Sequence, residues 1–408
     1  MEYLQRALEQ KFLRMSDFFK AVLVTGARQV GKTTMLKHLA ENQDRTYVSL
    51  DSLMARDLAK TDPVLFFQTY KPPVIIDEVQ YAPELFSQIK LLCDTGEETG
   101  RFWLTGSQQY NMMKNVRESL AGRIGILELY SLSKNEKDGI VFENEPDFSF
   151  SCLKERQARA TKNDITDVFN HIWRGGMPQI LEAGPEQREE YYSAYVNSYL
   201  IRDAAEMGGI GDSLRFGKFL AACAALISRQ LNYKTLADAA EISQPTAKAW
   251  IKLLVSMGIV FMLPPYASNE LKRLSKTPKL YFCDTGLAAH LSMWPTCETL
   301  QNGAASGHYF ENHIVAEMLK SYSYSQSRAQ LYYYRDSNAK EIDLLVQRGN
   351  MIHPFQIKKS AHPDRREVKK YAILSNTSAE QGCGGILCMC EEVVPIDALN
   401  CFIPCNLV

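Results

Sequence analysis

Gly26-Ala27-Arg28-Gln29-Val30-Gly31-Lys32-Thr33 places two glycines, a lysine and a hydroxyl at the spacing that lets a backbone wrap around phosphate groups. Gly26 and Gly31 permit turns that aim successive N–H groups inward, and a helix starting at the loop's end adds the partial positive charge of its N-terminus. Lys32 would sit on the β and γ phosphates of a nucleoside triphosphate, Thr33 would offer its hydroxyl to magnesium, and Thr34 closes the loop. Further along, Asp77 and Glu78 end the apolar run Pro73-Val74-Ile75-Ile76. Asp77 would hold the magnesium through water, and Glu78 would orient or activate the attacking water. ATP and Mg2+ are the cofactors this pattern predicts.

Short strands must carry these groups. Ala21-Val22-Leu23-Val24-Thr25 is an apolar, β-branched run leading into the loop, and Thr33 to Leu39 has helical character. Arg101-Phe102-Trp103-Leu104-Thr105-Gly106-Ser107 reads as a third strand, with Ser107 as the candidate sensor of the γ-phosphate or a residue of a structural turn. Arg123, just before the strand Ile124 to Leu129, and Arg117 upstream are candidate arginine fingers or solvated surface arginines.

These motifs in order, Gly-Ala-Arg-Gln-Val-Gly-Lys-Thr, Ile-Asp-Glu-Val-Gln, Leu-Thr-Gly-Ser and Leu-Ala-Gly-Arg-Ile, resemble the AAA-superfamily P-loop ATPases of bacteria and archaea that have a C-terminal domain of unknown function. The resemblance implies an α/β fold with an additional-strand parallel sheet, in which another strand separates the Asp77 strand from the P-loop strand.

The chain has 408 residues, enough for two or three domains, with a formal net charge of -1 that excludes neither nucleic acid nor protein partners. The expected division is 1–135 for the ATPase domain, 136–205 for a helical linker or lid, 206–290 for a winged helix and 291–408 for the C-terminal domain. No apolar run is long enough to span a membrane and no signal segment opens the chain, so the expected location is cytoplasmic. Ten cysteines without repeated CxxC spacing read as small buried hydrophobes; those at 383, 388, 390, 401 and 405 leave a zinc site open.

In the middle segment, His171-Ile172-Trp173-Arg174-Gly175-Gly176-Met177-Pro178 predicts a fixed turn, with Arg174 either structural or within reach of a nucleotide. The stripe Tyr192, Tyr195, Val196 and Tyr199 reads as core. Leu236 to Ala240, a tight turn at Ser243 and Gln244 to Leu254 give two helices, and Ile259 to Leu263 with Pro278 to Phe282 can pair as a hairpin. The sum is a winged helix, with Lys248 and Lys252 on its second helix and Lys272, Arg273, Lys276 and Lys279 charging its wing. Such a module commonly contacts DNA in the major groove, or else serves domain packing.

From Gly307 onward, a helix, a hairpin and the strand Phe355-Gln356-Ile357-Lys358 resemble in order the PD-(D/E)xK nuclease fold, a restriction-endonuclease-like α/β domain. By that resemblance Glu311 and Asp343 would hold magnesium and Lys358 would orient a nucleophilic water. Gln356 stands where an active member has a carboxylate, which weakens attraction for a hard dication. His353 and His362 read as surface or core histidines.

The leading expectation is an ATPase that couples nucleotide state to the winged-helix and nuclease-like modules, acting on DNA. Two others stay open: an ATP-gated protein-interaction switch, and an ATP-regulated metal-dependent nuclease. A protein partner and homo-oligomerisation remain compatible with each, and no membrane contact is expected.

Overall fold

A computed structural model describes residues 3–106, 119–141, 147–206, 212–267, 277–336, 340–377 and 379–408. Ser107, Arg117, Lys272, Arg273 and Lys276 lie outside the described residues.

Two compact units form: residues 1–132 with Ser256–Gly258, and residues 133–255 with 259–408. The first is built on a parallel sheet in the order β2-β3-β4-β1-β5, with β1 Ala21–Thr25, β2 Thr46–Ser49, β3 Val74–Asp77, β4 Phe102–Thr105 and β5 Ile124–Glu128. Strand β4 lies between the P-loop strand and the Asp77 strand, the additional-strand arrangement of the P-loop ATPase fold. All residues of β1, β3 and β4 are buried, which explains their continuous apolar reading: both faces of a parallel sheet are covered by helices. Helix α1, Glu9–Phe18, is fastened to this sheet where Trp103 donates its indole N–H to Ser16 Oγ at 2.8 Å and meets Phe12 edge-on.

The second unit contains a three-stranded antiparallel sheet, β6 Arg229–Gln230, β8 Lys279–Phe282 and β7 Val260–Leu263, with the helices Tyr233–Ala240 and Gln244–Ser256 between β6 and β7. Ser243 caps the second helix by accepting from Thr246 N at 3.2 Å. After the helices Thr285–Leu291 and Cys297–Asn302 come the helix Ser306–Tyr324 and a mixed sheet whose longer strands are β9 Gln330–Arg335, at one edge, β10 Glu341–Arg348, β11 Met351–Lys358, β13 Gly384–Cys388 and β15 Asn400–Pro404. The short β12 Glu380–Gln381 pairs with β11, and β14 Val394–Pro395 with β15.

The segment 136–205, read as a helical linker or lid, lies within this unit. Helix Ile165–Arg174 sends Trp173 Nε1 to the Trp294 carbonyl at 2.9 Å, Arg156 donates to the Leu407 carbonyl at 2.6 Å, and Phe148 packs on Phe355 at 4.4 Å between rings. Charge in the sequence had hidden these anchors. The Gly175-Gly176 turn is structural: a Cβ on Gly175 would lie 2.2 Å from Tyr192 OH and 2.6 Å from Asp284 Oδ1. Asp284 accepts there from Gly176 N and from Tyr192 OH, both at 2.7 Å, and Arg174 donates to the carbonyls of Ile180, Leu181 and Ala183. Arg174 is thus spent on its own turn, and Tyr192 and Tyr195 are core.

Candidate functional site

The loop after β1 turns through Gly26 (φ 140°), Gln29 (φ 62°) and Gly31 (φ 96°) and delivers Lys32 as the first residue of helix α2, Lys32–Ala40. Gly26 is required twice over, because a Cβ there would approach the Leu129 carbonyl oxygen to 2.1 Å. Ala27 and Val30 are buried, while Gln29 and Thr34 are exposed and Arg28 is intermediate, its guanidinium 3.4 Å from Tyr81 OH. The loop is braced from behind by the buried Arg6, which donates to the Val30 and Tyr130 carbonyls, each at 2.8 Å.

Lys32 is buried, and its ammonium donates to the carbonyls of Ala27 at 2.8 Å and Gly26 at 3.1 Å. Burial lowers its pKa, and the nearby Glu78 and Asp77 charges oppose that fall. The ammonium therefore faces both acids from inside the loop.

Asp77, at the end of β3, collects three hydroxyls. Thr33 Oγ1 donates to Oδ1 at 2.6 Å, Thr105 Oγ1 donates to the same oxygen, and Tyr47 OH donates to Oδ2 at 3.2 Å. Burial, with the Asp77 charge behind it, pushes the Tyr47 phenol up to about 12, so it stays a donor at neutral pH. Thr105 also accepts from Glu78 N at 3.1 Å. Glu78 itself adopts φ 57°, a left-handed conformation that a non-glycine residue keeps only when its surroundings hold it, and its carboxylate accepts from the Gln80 amide.

Loop, lysine, hydroxyl and two acids thus come together at one end of the sheet. Thr105 and Tyr47 belong to the same cluster, although sequence reading placed the sensor at Ser107. The available signal was a hydroxyl ending the strand that sits between β1 and β3.

Arg123 is placed elsewhere. It precedes β5, whose register sets Ile124 beside Ala21, at the start of β1, whereas the loop follows the end of β1. Its guanidinium pairs with Asp94 at 2.5 Å. Arg123 therefore lies away from its own P-loop and pairs with Asp94, the place the surface-arginine reading gives it; as a finger it would serve a neighbouring subunit.

In the second unit, Lys248 and Lys252 are exposed on the helix Gln244–Ser256, while Trp250, Ile251 and Leu254 face inward. Lys279 does not charge a wing: it is buried in β8, with its ammonium between Glu311 and Glu341. Glu311 also accepts from Tyr281 OH at 2.7 Å, and Asp343 accepts from Ile357 N at 2.8 Å, with Lys358 Nζ 3.8 Å away. Gln356 is buried and donates its amide to the Glu341 carbonyl at 2.7 Å. His353 meets the Cys383 carbonyl and His362 is exposed.

Among the described residues, the one set of three His, Cys, Asp or Glu side chains with ligand atoms all within 4.8 Å of each other is His171, His313 and Glu317. Both Glu317 oxygens are taken, one by Lys134 N at 2.8 Å and the other by Lys320 Nζ at 2.9 Å. The C-terminal cysteines form no such set among the described residues.

Residues 18–137 match the model of the AAA domain, residues 165–298 that of a domain of unknown function (DUF8612), and residues 306–408 that of a second (DUF4143). Uncharacterized proteins of Mycobacterium bovis and Mycobacterium tuberculosis are each 26% identical over 357 residues, spanning 86% of this chain and 73% of theirs. Among solved structures, the Walker-type ATPase of Pyrococcus abyssi aligns with a TM-score of 0.46 and 16% identity over 71% of this chain and 96% of that one. RuvB of Thermotoga maritima aligns with a TM-score of 0.30 and 17% identity over 63% and 86% of the two chains. Among the described residues, no helix is long and apolar enough to cross a membrane.

Proposed function

We propose that this chain, whose residues 18–137 are a P-loop AAA-type ATPase domain and whose C-terminus carries a DUF4143 domain, hydrolyses Mg-ATP and uses nucleotide state to alter how its second unit engages DNA. The observation behind the hydrolytic part is the hydrogen-bonded chain Thr33, Asp77, Thr105 and Glu78 N facing the Lys32 ammonium. The donor set fits a magnesium nucleotide: Thr33 and Asp77 would hold the metal, which supplies charge neutralisation between the phosphates. Lys32 and the loop N–H groups bind phosphate oxygens, and Glu78 orients and deprotonates the attacking water. Lys32→Ala is expected to abolish ATP binding and turnover; unchanged binding and turnover refute the assignment.

For DNA, the supporting feature is Lys248 and Lys252, exposed one turn apart on the second of two successive helices followed by a hairpin, as a winged helix requires. ATPase rate measured with double-stranded DNA, single-stranded DNA or RNA over a salt series tests it. Stimulation that falls with salt and is lost in the Lys248→Glu, Lys252→Glu double variant is expected. A salt-insensitive rate, equal with and without nucleic acid, removes the DNA role.

A second reading, an ATP-gated interaction switch with little hydrolysis, is favoured by the Gln80 amide that occupies the Glu78 carboxylate. Turnover of Glu78→Gln separates the two. Hydrolysis by Glu78 predicts a large loss, and a variant that matches the parent supports the switch.

A further inference from the structure

The C-terminal sheet carries acids in the order of a metal-dependent nuclease, so the first question is whether a divalent ion fits among them. Lys279 opens β8, and its Nζ lies 2.8 Å from Glu311 Oε1 on the helix Ser306–Tyr324 and 2.6 Å from Glu341 Oε1 at the start of β10. Tyr281, on the same face of β8 two residues on, donates to the same Glu311 oxygen. Burial works against a charged amine, but the Glu311, Asp343 and Glu341 carboxylates outweigh it and hold the Lys279 pKa above its ordinary value. The amine is therefore a permanent cation in this pocket.

The charges around it already balance. Glu311, Glu341, Asp343 and Glu367 face Lys279, Arg335 at 3.4 Å from Glu341, Lys358 at 3.8 Å from Asp343 and 3.7 Å from Glu367, and Lys370 at 2.7 Å from Glu367. The position where the resemblance places the third acid, beside Glu311 and Asp343, is Gln356, whose amide carries no charge and donates to the Glu341 carbonyl. With the ammonium seated between Glu311 and Glu341, the three carboxylates do not converge as a ligand set within 4.8 Å, whereas a divalent ion requires oxygens gathered about 2.0–2.6 Å from one centre. The residues present do not fit the metal that the fold implies.

We propose that the Lys279 ammonium takes the place of the divalent ion in the nuclease-like pocket, joining the β7–β8 hairpin to the helix Ser306–Tyr324 and to β10, and that this domain does not cleave nucleic acid by a metal-dependent route. An ammonium bridges two carboxylates through short hydrogen bonds but has no open coordination position with which to activate water. Such a pocket is a fastening between two modules of one unit. This inference does not rest on the ATPase reading.

The test counts bound Mn2+ per chain on the full-length protein by electron paramagnetic resonance at equilibrium. The parent and Glu311→Gln are expected to bind equal numbers, because the pocket holds no metal to lose. Lys279→Met, which removes the cation and leaves the carboxylates, is expected to gain one Mn2+ that a further Asp343→Asn removes. Loss of one Mn2+ on passing from the parent to Glu311→Gln overturns the proposal, as does a folded Lys279→Met that gains none. Should Lys279→Met not fold, the parent against Glu311→Gln decides alone: equal counts sustain the proposal and a lost ion ends it. DNA incubated with the parent and Mn2+ is expected to stay intact, and cleavage abolished by Asp343→Asn would also end it.

Discussion

Replacing Thr105 by valine removes one hydroxyl at nearly constant volume, and the structure states what that hydroxyl does. It donates to Asp77 Oδ1 and accepts from Glu78 N at 3.1 Å, and the residue is fully buried, so water cannot substitute. Losing the bond to a charged acceptor costs about 1.5–3 kcal/mol, and leaving a buried N–H without a partner costs about 1–3 kcal/mol. Part of this appears as lower stability. The remainder appears in turnover, because the Glu78 backbone is held in its left-handed conformation at this contact, and a displaced carboxylate no longer lines up the water. A loss of about 1.4–2.7 kcal/mol in the transition state corresponds to a kcat lower by about 10- to 100-fold. The KM for ATP should stay within about threefold, since Lys32 and the loop are untouched. Steady-state ATPase measurements on Thr105→Val, with Thr105→Ser as the variant that keeps the hydroxyl, provide the assay. A folded Thr105→Val whose kcat lies within about twofold of the parent refutes the reasoning.

Three further outcomes follow from the same geometry. Arg6→Met strips the Val30 and Tyr130 carbonyls of their buried donor, so ATP affinity should fall about tenfold with a smaller change in kcat; a fluorescent-nucleotide titration with unaltered affinity counts against it. Arg123→Ala should leave turnover unchanged, since Arg123 lies at the far end of the sheet from its own loop; a turnover that falls, most of all at high protein concentration, would show that it serves a neighbouring subunit. Lys137 is held down to about 7, by burial first, and Asp284 only partly restores it. Between that value and its ordinary 10.5 the unfolded chain carries a proton that the native chain lacks, so stability rises with pH in this window and falls as pH drops through 7. Urea unfolding at pH 7 and 9 should show Lys137→Met flattening that rise by about 2 kcal/mol, and parallel profiles of parent and variant would contradict the assignment.

The nucleotide site was legible where its chemistry is local in sequence. Gly26 to Thr33 are contiguous, and their glycines, lysine and threonine are each demanded by one loop; Asp77 and Glu78 end a strand whose unbroken apolar run marks it as central. Thr105 and Tyr47 escaped for the opposite reason. Each reaches Asp77 only because the sheet order places β4 and β2 on either side of β3, and an isolated threonine or tyrosine at a strand's end says nothing about strand order. Arg6 is further still from any local signal: it reaches Tyr130, 124 positions away, across the fold. The anchors of residues 136–205 escaped because the partners of Phe148, Arg156 and Trp173 lie more than 100 positions away in the sequence.

Lys279 shows why an acidic pattern is a weaker signal than a glycine-rich loop. A loop's glycines are constrained by backbone geometry that nothing distant can relieve, as the 2.1 Å approach at Gly26 shows. A carboxylate, by contrast, needs only a positive neighbour, and the sequence does not say which. Lys279 follows Lys272, Arg273 and Lys276 and reads as one more surface charge, yet β8 is buried at all four positions. A buried ammonium is costly unless paired, so its partners had to be acids, and Glu311 and Glu341 are 32 and 62 positions away. The acids that resemble a metal site are then the counter-ions of a lysine, and Gln356 follows from the same balance: a further carboxylate there would leave the pocket with one uncompensated negative charge. The uncharged Gln356 and the buried Lys279 are then two parts of one electrostatic solution.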